Sequence, residues 1–409
     1  MTVGPPDVPR RIAFVSLHTS PTSAPGTGDA GGMNVVELHQ ARELAELGHQ
    51  VELITRRESP DTPEVTELAP RLTLRQVVAG PVEVVAKSKQ EALIGEFGAR
   101  MAELTPYDLV HSQHWMSGVA ALSVAQAWGV PHVQTFHSVA ALPGSPLSHG
   151  EPPESPGRVR GEALVAQRSD RVIAVSDAEA TTVIERCGAD PASVVVVRPG
   201  VDGDMFRPVL PGDRPWRSGI DPYLVFAARL QPLKAPDVVL RALALLDPAV
   251  RPRLVLAGDG SPDHPAYAQV LRELVVEAGL TDHVIFVGSL PRPELATLLR
   301  GAALAVVPSY SETFGLIALE AEASGVPVVA ARGSGGLVES VIDGRTGVLV
   351  ADHEPQSWAD ALAALLADPD RRRELGAQAR AFATELTWRR SALGLAAVYA
   401  DLLDGGTPQ

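Results

Sequence analysis

The chain has little cysteine: Cys187 is the only one in 409 residues. That excludes an internal disulfide and a thiolate metal cluster. No apolar run approaches the roughly 18 to 20 residues needed to cross a bilayer. The opening stretch, Met1 to Arg11, has no apolar core followed by a small-residue cleavage site, so no secretory signal is expected and a cytoplasmic location is. Positive charge is also scarce. The 35 Lys and Arg residues face 49 Asp and Glu, a formal net charge of −14. This balance argues against non-specific nucleic-acid binding. Any anionic ligand must then be met by cations placed locally. A metal-ligand cluster is absent from the sequence pattern, and no DxD pair stands in a suitable place; Asp259, between Gly258 and Gly260, reads as a turn.

What is present is a regular alternation of short apolar runs and longer amphipathic ones. Arg11 to Leu17 reads as a strand, Gly32 to Gly48 as a helix stopped by Gly48, and Val51 to Thr55 as the next strand. Asp108 to His111, Val130 to Thr135 and Arg171 to Val175 follow as strands. Ser176-Asp177-Ala178-Glu179 has the form of a capping box opening a helix, and Val194 to Val197 closes this half. A Pro- and Gly-rich stretch, Arg198 to Ile220, reads as a linker. A second series then begins, with strands Leu224 to Ala228, Arg253 to Ala257, Val284 to Val287, Ala303 to Val307, Val326 to Ala331 and Val348 to Val350. Ala235 to Leu246 is its clearest helix, and Trp388 to Leu403 is a terminal one. Strand–helix alternation predicts parallel sheets covered on both faces. Two such series predict an α/β protein of two Rossmann-like, doubly wound domains facing a cleft. The boundaries fall at 1–205 and 206–387, with 388–409 a C-terminal helix packing back on the first domain.

Gly26-Thr27-Gly28-Asp29-Ala30-Gly31 matches GxGxxG, and Arg56 and Arg57 could stand near a 2′-phosphate, which together suggest an NADP-binding oxidoreductase. The loop starts too far beyond its strand for that fingerprint, and no acidic residue closes the second strand. A flexible glycine loop is the plain alternative. A cleft lining is the other: Gly31 and Gly32 would bring backbone N–H groups and a helix N-terminus to an anionic ligand, with Asn34 adding a polar contact.

Arg229 and Lys234 lie between a strand and a helix, at the carboxyl end of a sheet where ligands bind. Glu312 falls in a loop after the Ala303 to Val307 strand. Phe314 to Ser324 is apolar enough for a buried helix, from which Glu320 projects; Glu322 is expected to be solvated. A buried carboxylate needs hydrogen bonds, and Glu320 is either a structural cap or a partner for ribose hydroxyls. Cations beside a diphosphate would stabilise charge growing on a leaving phosphate. Together these residues read as half of a nucleotide-sugar site. His137, at the end of the Val130 to Thr135 strand, is either structural or near the reacting sugar.

These stretches, with His18-Thr19-Ser20-Pro21, Ala79-Gly80-Pro81, Lys87, His111-Ser112-Gln113-His114-Trp115 and Arg158-Val159-Arg160-Gly161-Glu162, resemble glycosyltransferase family 4, retaining enzymes of the GT-B fold. The resemblance covers nearly the whole chain, and the long motif around Gly26 to Asn34 resembles members that glycosylate inositol phosphate in mycothiol biosynthesis. It implies a hexosyltransferase whose first domain binds the acceptor through His18, Asp29, Gly31, Asn34, Lys87, His114, Ser138 and Arg158. It implies donor contacts from Gly32, Arg229, Lys234, Glu312, Phe314, Gly315, Leu316 and Glu320. The catalytic set would be His137, Arg229, Lys234 and Glu312. The implied donor is UDP-N-acetylglucosamine and the implied acceptor a phosphorylated cyclitol. Family relatives that act on antibiotic aminocyclitols, or that use another UDP- or GDP-sugar, supply the alternative. No cofactor and no catalytic metal is implied; magnesium is allowed for only as a companion of the diphosphate. Expected partners are the nucleotide sugar and the small acceptor, with no nucleic acid or membrane span and a homodimer left open. Two positions depart from the pattern: His114 stands where the family has tyrosine and Ser138 where it has threonine. The segment between Lys87 and His114 is also shorter.

Overall fold

The computed structural model describes residues 8–26, 30–141, 154–217, 222–261 and 263–405. The first sheet is built from β1 (Arg11–Ser16), β2 (Gln50–Arg56), β3 (Val65–Ala69), β4 (Leu72–Val77), β5 (Leu109–Gln113), β6 (His132–Thr135), β7 (Arg171–Ala174) and β8 (Val194–Val196). Its order is β3-β4-β2-β1-β5-β6-β7-β8, parallel throughout except for the antiparallel β3–β4 edge. The second sheet contains β9 (Tyr223–Ala227), β10 (Arg253–Ala257), β11 (Val284–Gly288), β12 (Leu304–Val307), β13 (Val328–Ala331) and β14 (Gly347–Val350). It is all parallel, in the order β11-β10-β9-β12-β13-β14.

The strands are apolar on both faces because both faces are covered. Ile12, Ala13, Phe14 and Val15 are all fully buried, and successive residues feed different cores on opposite sides of the sheet. The edge pair β3 and β4 was not expected from the sequence. Its signal is the alternation Leu72, Leu74 in β4; Val65 in β3 is exposed, as befits an edge. Among the described residues no helix is long and apolar enough to cross a membrane.

Each sheet reverses its winding once. In the first this happens between β1 and β5, in the second between β9 and β12. At such a point the loops leaving adjacent strands part in opposite directions and open a crevice at their carboxyl ends. The residues after β1 and β5 are Leu17-His18 and His114; those after β9 and β12 lead to Arg229 and Glu312.

The chain passes between the domains twice, at the same place. Val201 bridges Thr387, its N–H donating to the Leu386 carbonyl at 2.9 Å. Gly200 lies so close to the returning chain that an added Cβ would sit 2.2 Å from the Trp388 nitrogen. The Pro- and Gly-rich stretch is firmly held where it joins the second domain. Phe206 is fully buried, Arg380 donates to the carbonyls of Gly203 and Phe206, and Arg300 donates to those of Met205 and Arg207. The final helix, Trp388–Leu403, returns to the first domain. Ala392, Leu395, Val398 and Tyr399 enter the core that contains Phe14, Leu53 and Leu109, and the Tyr399 hydroxyl lies 2.6 Å from His111 Nδ1.

Two carboxylates are walled in, and among the described residues neither has an ion-pair partner. Glu322 is fully buried, not solvated as expected. It sits on the helix Leu316–Ala323, which is covered on every side from Ala318 onward. Burial pushes its carboxyl well above the ordinary range, with the Thr346 hydroxyl a small offset. Glu37 is likewise fully buried and is raised by burial to about 8, with Ser16 opposing. The folded protein therefore holds a proton on Glu37 that the unfolded chain releases near pH ~4.3. Between those values the folded state binds more protons, so stability falls as pH rises, by about 1.4 kcal/mol per pH unit. Glu37→Gln should remove that slope: melting temperatures should match the parent near pH ~5 and exceed it increasingly toward pH ~8. An unchanged slope would mean that Glu37 is already ionised in the folded state.

Candidate active site

The two crevices face each other across one cavity of about 1010 Å³. It is lined by His18, Gly31, Gly32, Lys87, His114, His137, Ser138 and Arg158 from the first domain, and by Arg229, Lys234, Glu312, Phe314, Gly315, Leu316 and Glu320 from the second. Of the remaining residues singled out in the sequence, Asp29 lies outside the described residues. Asn34 does not line the cavity. Its Oδ1 accepts the Gly31 N–H at 2.9 Å, and its Nδ2 donates to the Ser20 carbonyl at 2.7 Å and to Thr19 Oγ1 at 3.1 Å. The amide thus ties down the glycine loop and starts the helix Gly32–Glu46.

On the first-domain side, the His18 and His114 rings are in contact, with centroids 4.1 Å apart and planes tilted by 36°. Both are buried, and among the described residues neither nitrogen of His114 nor His18 Nδ1 finds a hydrogen-bond partner. Burial holds both well below the ordinary histidine range. For His18 the charges of Lys87, His137, Arg158 and Arg229 add to it; for His114 those of His18, Lys87, Arg158 and His137 do. At neutral pH both rings are uncharged, each offering one N–H and one lone pair. His137 is lowered to about 3 by burial, and its Nε2 donates to Gln113 Oε1 at 2.7 Å. His114 and His137 both adopt left-handed backbone conformations, φ 68° and 59°, at a cost of about 1–2 kcal/mol each for a residue with a Cβ. Such strain gathers where a side chain must be aimed.

Arg158 is brought to the cavity already engaged. Its guanidinium donates to Glu162 at 2.8 Å, to Glu154 at 2.9 Å and to Ser138 Oγ at 3.2 Å. Glu162 also accepts the Ala140 N–H at 3.0 Å, which fixes the segment after His137. Glu154 is the more exposed of the two carboxylates, and Nη2 is the guanidinium nitrogen that neither carboxylate holds.

On the second-domain side, Arg229 and Lys234 both line the cavity. Lys234 Nζ donates to Glu312 Oε1 at 2.7 Å, and Ser309 Oγ donates to the same oxygen at 2.7 Å. The Glu312 backbone is zipped to a glycine loop, with its N–H on the Ser334 carbonyl and its carbonyl accepting the Gly336 N–H, both at 2.9 Å. Gly336 must be glycine, because a Cβ would stand 2.0 Å from the Thr313 carbonyl. Gly315, at φ 91°, then turns the chain into the helix Leu316–Ala323, whose first residues, Leu316 and Ile317, line the cavity. Glu320 has a partner the sequence did not suggest. Arg292 Nη1 donates to Glu320 Oε1 at 2.6 Å, and the guanidinium carbon lies 4.7 Å from the Phe206 ring centroid. Burial raises the Glu320 carboxyl and Arg292 opposes that rise.

Sequence reading also missed the cavity-lining roles of Gly333, Gly335, Gly336 and Glu179. Glu179 opens its helix as the capping box predicts, with Ser176 Oγ accepting its N–H at 3.0 Å, but its side chain reaches the Val175 N–H at 2.7 Å. Burial raises it to about 7. Arg56 and Arg57 take no part. Arg56 is buried and donates to the Pro81 and Glu83 carbonyls at 2.9 Å, and Arg57 holds the carbonyls of Pro60 and Thr62. This removes the basis for a dinucleotide site. Among the described residues no cluster of His, Cys, Asp and Glu is arranged to hold a metal ion.

Comparison with known proteins agrees with this geometry. Residues 31–200 match the family described as glycosyl transferase 4-like domain, and residues 215–382 match glycosyl transferases group 1. The chain is 43% identical over 410 residues to D-inositol 3-phosphate glycosyltransferase 2 of Catenulispora acidiphila, covering 96% of this chain and 95% of that protein. It is 42% identical to D-inositol 3-phosphate glycosyltransferase of Thermobispora bispora, again covering 96% and 95%. Among solved structures, sucrose-phosphate synthase from Thermosynechococcus elongatus aligns with a TM-score of 0.87 at 28% identity, over 97% of this chain and 100% of that one. Anabaena Alr3699/HepE in complex with UDP and glucose aligns with a TM-score of 0.77 at 21% identity, over 96% and 100%, a likeness of fold.

The Arg292–Glu320 pair makes a direct test of how the cavity is built. Arg292→Met should leave a buried carboxylate without its cation and lower stability by ~3 kcal/mol. Arg292→Met/Glu320→Gln should regain most of that loss, because the buried charge goes with the cation. Equal unfolding midpoints for the single variant and the parent would show that Glu320 does not depend on Arg292.

Proposed function

The chain belongs to glycosyltransferase family 4, a hexosyltransferase of GT-B fold, and from that premise we propose that it moves N-acetylglucosamine from UDP-N-acetylglucosamine to a hydroxyl of a phosphorylated cyclitol such as inositol phosphate. The observation that carries this reading is the meeting of Lys87, Arg158 and Ser138 with the His18–His114 pair at one crevice, directly across from Arg229, Lys234 and Glu312 at the other. In a protein of net charge −14, such cations are what an anionic acceptor and an anionic donor require. The names borne by the relatives at 42–43% identity support the same substrates.

In this reading the diphosphate lies against the N-terminus of the helix Leu316–Ala323, with Arg229 and Lys234 beside it. As the glycosyl bond breaks, these groups stabilise the charge growing on the leaving phosphate. Glu312, oriented by Lys234 and Ser309, accepts a hydrogen bond from a hydroxyl of the transferred sugar. Glu320, balanced by Arg292, does the same for the ribose. Attack comes from the face the leaving group departs, the leaving phosphate takes the acceptor proton, and configuration is retained. Glu179 is poorly suited to be a nucleophile, since burial favours its protonated form and one oxygen is held by Val175. Trapping a covalent glycosyl-enzyme during turnover would overturn this mechanism. No resident metal is assigned a step; magnesium enters, if at all, with the diphosphate.

One observation favours the alternative acceptor, an aminocyclitol. Glu154, on Arg158 at the cavity wall, could receive an ammonium group. Mass spectrometry of reaction products decides between them. UDP-N-acetylglucosamine, UDP-glucose and GDP-mannose are crossed with inositol 1- and 3-phosphates, free inositol and 2-deoxystreptamine. A hexosaminyl-inositol phosphate is expected, and Lys87→Glu should abolish it. Product with 2-deoxystreptamine alone, undiminished by Lys87→Glu, would replace the acceptor and leave the donor half intact.

A further inference from the structure

We propose that Thr313 is a positioning residue that locks the donor loop of the second domain onto His137 of the first, so that the two halves of the site are aligned through one side chain. This rests on the reading of the cleft given above. Thr313 Oγ1 donates to the His137 carbonyl at 2.6 Å, and the Thr313 carbonyl accepts a hydrogen bond from Ser176 Oγ at 2.6 Å. The residue thus reaches two separate segments of the opposite domain.

Neither end of this contact can drift. On the donor side Thr313 stands between Glu312, zipped to Ser334 and Gly336, and Phe314, which is buried. Gly336 presses on the Thr313 carbonyl with no room for a Cβ. Any shift of Thr313 therefore moves Glu312 and the N-terminus of the helix Leu316–Ala323. On the other side His137 is held in a left-handed conformation. Its ring is fixed by Gln113, its N–H lies near the Glu179 carboxyl, and its carbonyl is fixed by Thr313. A residue in that conformation stays there only while its surroundings over-determine it, and one of those surroundings comes from the other domain. Ser176 is the N-cap of the helix Asp177–Cys187; it accepts the Glu179 N–H and donates to Thr313. The same helix start is gripped again by Glu339, which accepts the Ala178 N–H at 3.0 Å and pairs with Arg198 at 2.8 Å. The contact is thus a registered one between a capped helix end and the donor loop, and it places His137 when the domains are in this arrangement.

Thr313→Val keeps the shape and removes the donated bond; Thr313→Ser keeps the hydroxyl and removes the methyl. With the donor–acceptor pair that the wild type turns over, Thr313→Val should lower kcat by about tenfold or more, with either KM changing by less than about threefold. Thr313→Ser should restore kcat to within about threefold of the parent. Hydrogen exchange of the ligand-free protein gives a readout independent of activity: amides of residues 136–140 should exchange faster in Thr313→Val and at the parental rate in Thr313→Ser. Parental kcat and parental exchange in Thr313→Val would overturn the proposal, as would equal impairment in both variants. If the wild type turned over no pair in the panel, the proposed substrates would fall, while the exchange comparison would still decide the role of Thr313.

Discussion

The site exists because each parallel sheet changes its direction of winding once. At β1/β5 and β9/β12 the loops diverge, and only there can residues far apart in sequence stand side by side without crossing a helix. His18 and His114 meet at the first point, and Arg229 and Glu312 line the cavity at the second. Facing the two points toward each other joins two crevices into one shared cavity. The rest of the molecule, from the buried strands to the capped helices, keeps those four strand ends in register.

Charge in the cleft is organised by pairing. Lys234 is on Glu312, Arg292 on Glu320, and Arg158 on Glu154 and Glu162. In an acidic protein this keeps the cations oriented and prevents them from attracting arbitrary anions. Two carboxylates hold the Arg158 fork in one orientation and leave Nη2 to Ser138. The buried histidines contribute differently. Held neutral by burial, they supply hydrogen-bond donors and acceptors without adding to the field.

Strand–helix alternation made the two-sheet plan legible, and the position of charged residues just past strand ends pointed to the cavity. What the sequence concealed were partnerships. Arg292 and Glu320 lie on different helices, and no spacing rule links them. Thr313 looks like an ordinary loop residue until its bond to His137 is seen. Glu322 misled because the helix Leu316–Ala323 is covered all round, so periodicity could not identify a wet face. That the Asn34 amide also caps its own helix was equally hidden. The strands β3 and β4 were passed over because β3, at the sheet edge, has no buried residue and β4 interleaves its leucines with Thr73 and Arg75, so neither shows an apolar run.

The double crossing at Gly200–Val201 and Leu386–Trp388 has a mechanical meaning. Two separate connections would allow the domains to swivel, and one connection would allow them to tumble. Here the two passes are bonded to each other, and Gly200 brings them closer than any side chain would permit. The two passes therefore act as one short tie between the linker and the start of the helix Trp388–Leu403. A tie of that kind fixes where the second domain begins and ends against the first, and so the span across which the hydroxyl of Thr313 meets one particular carbonyl.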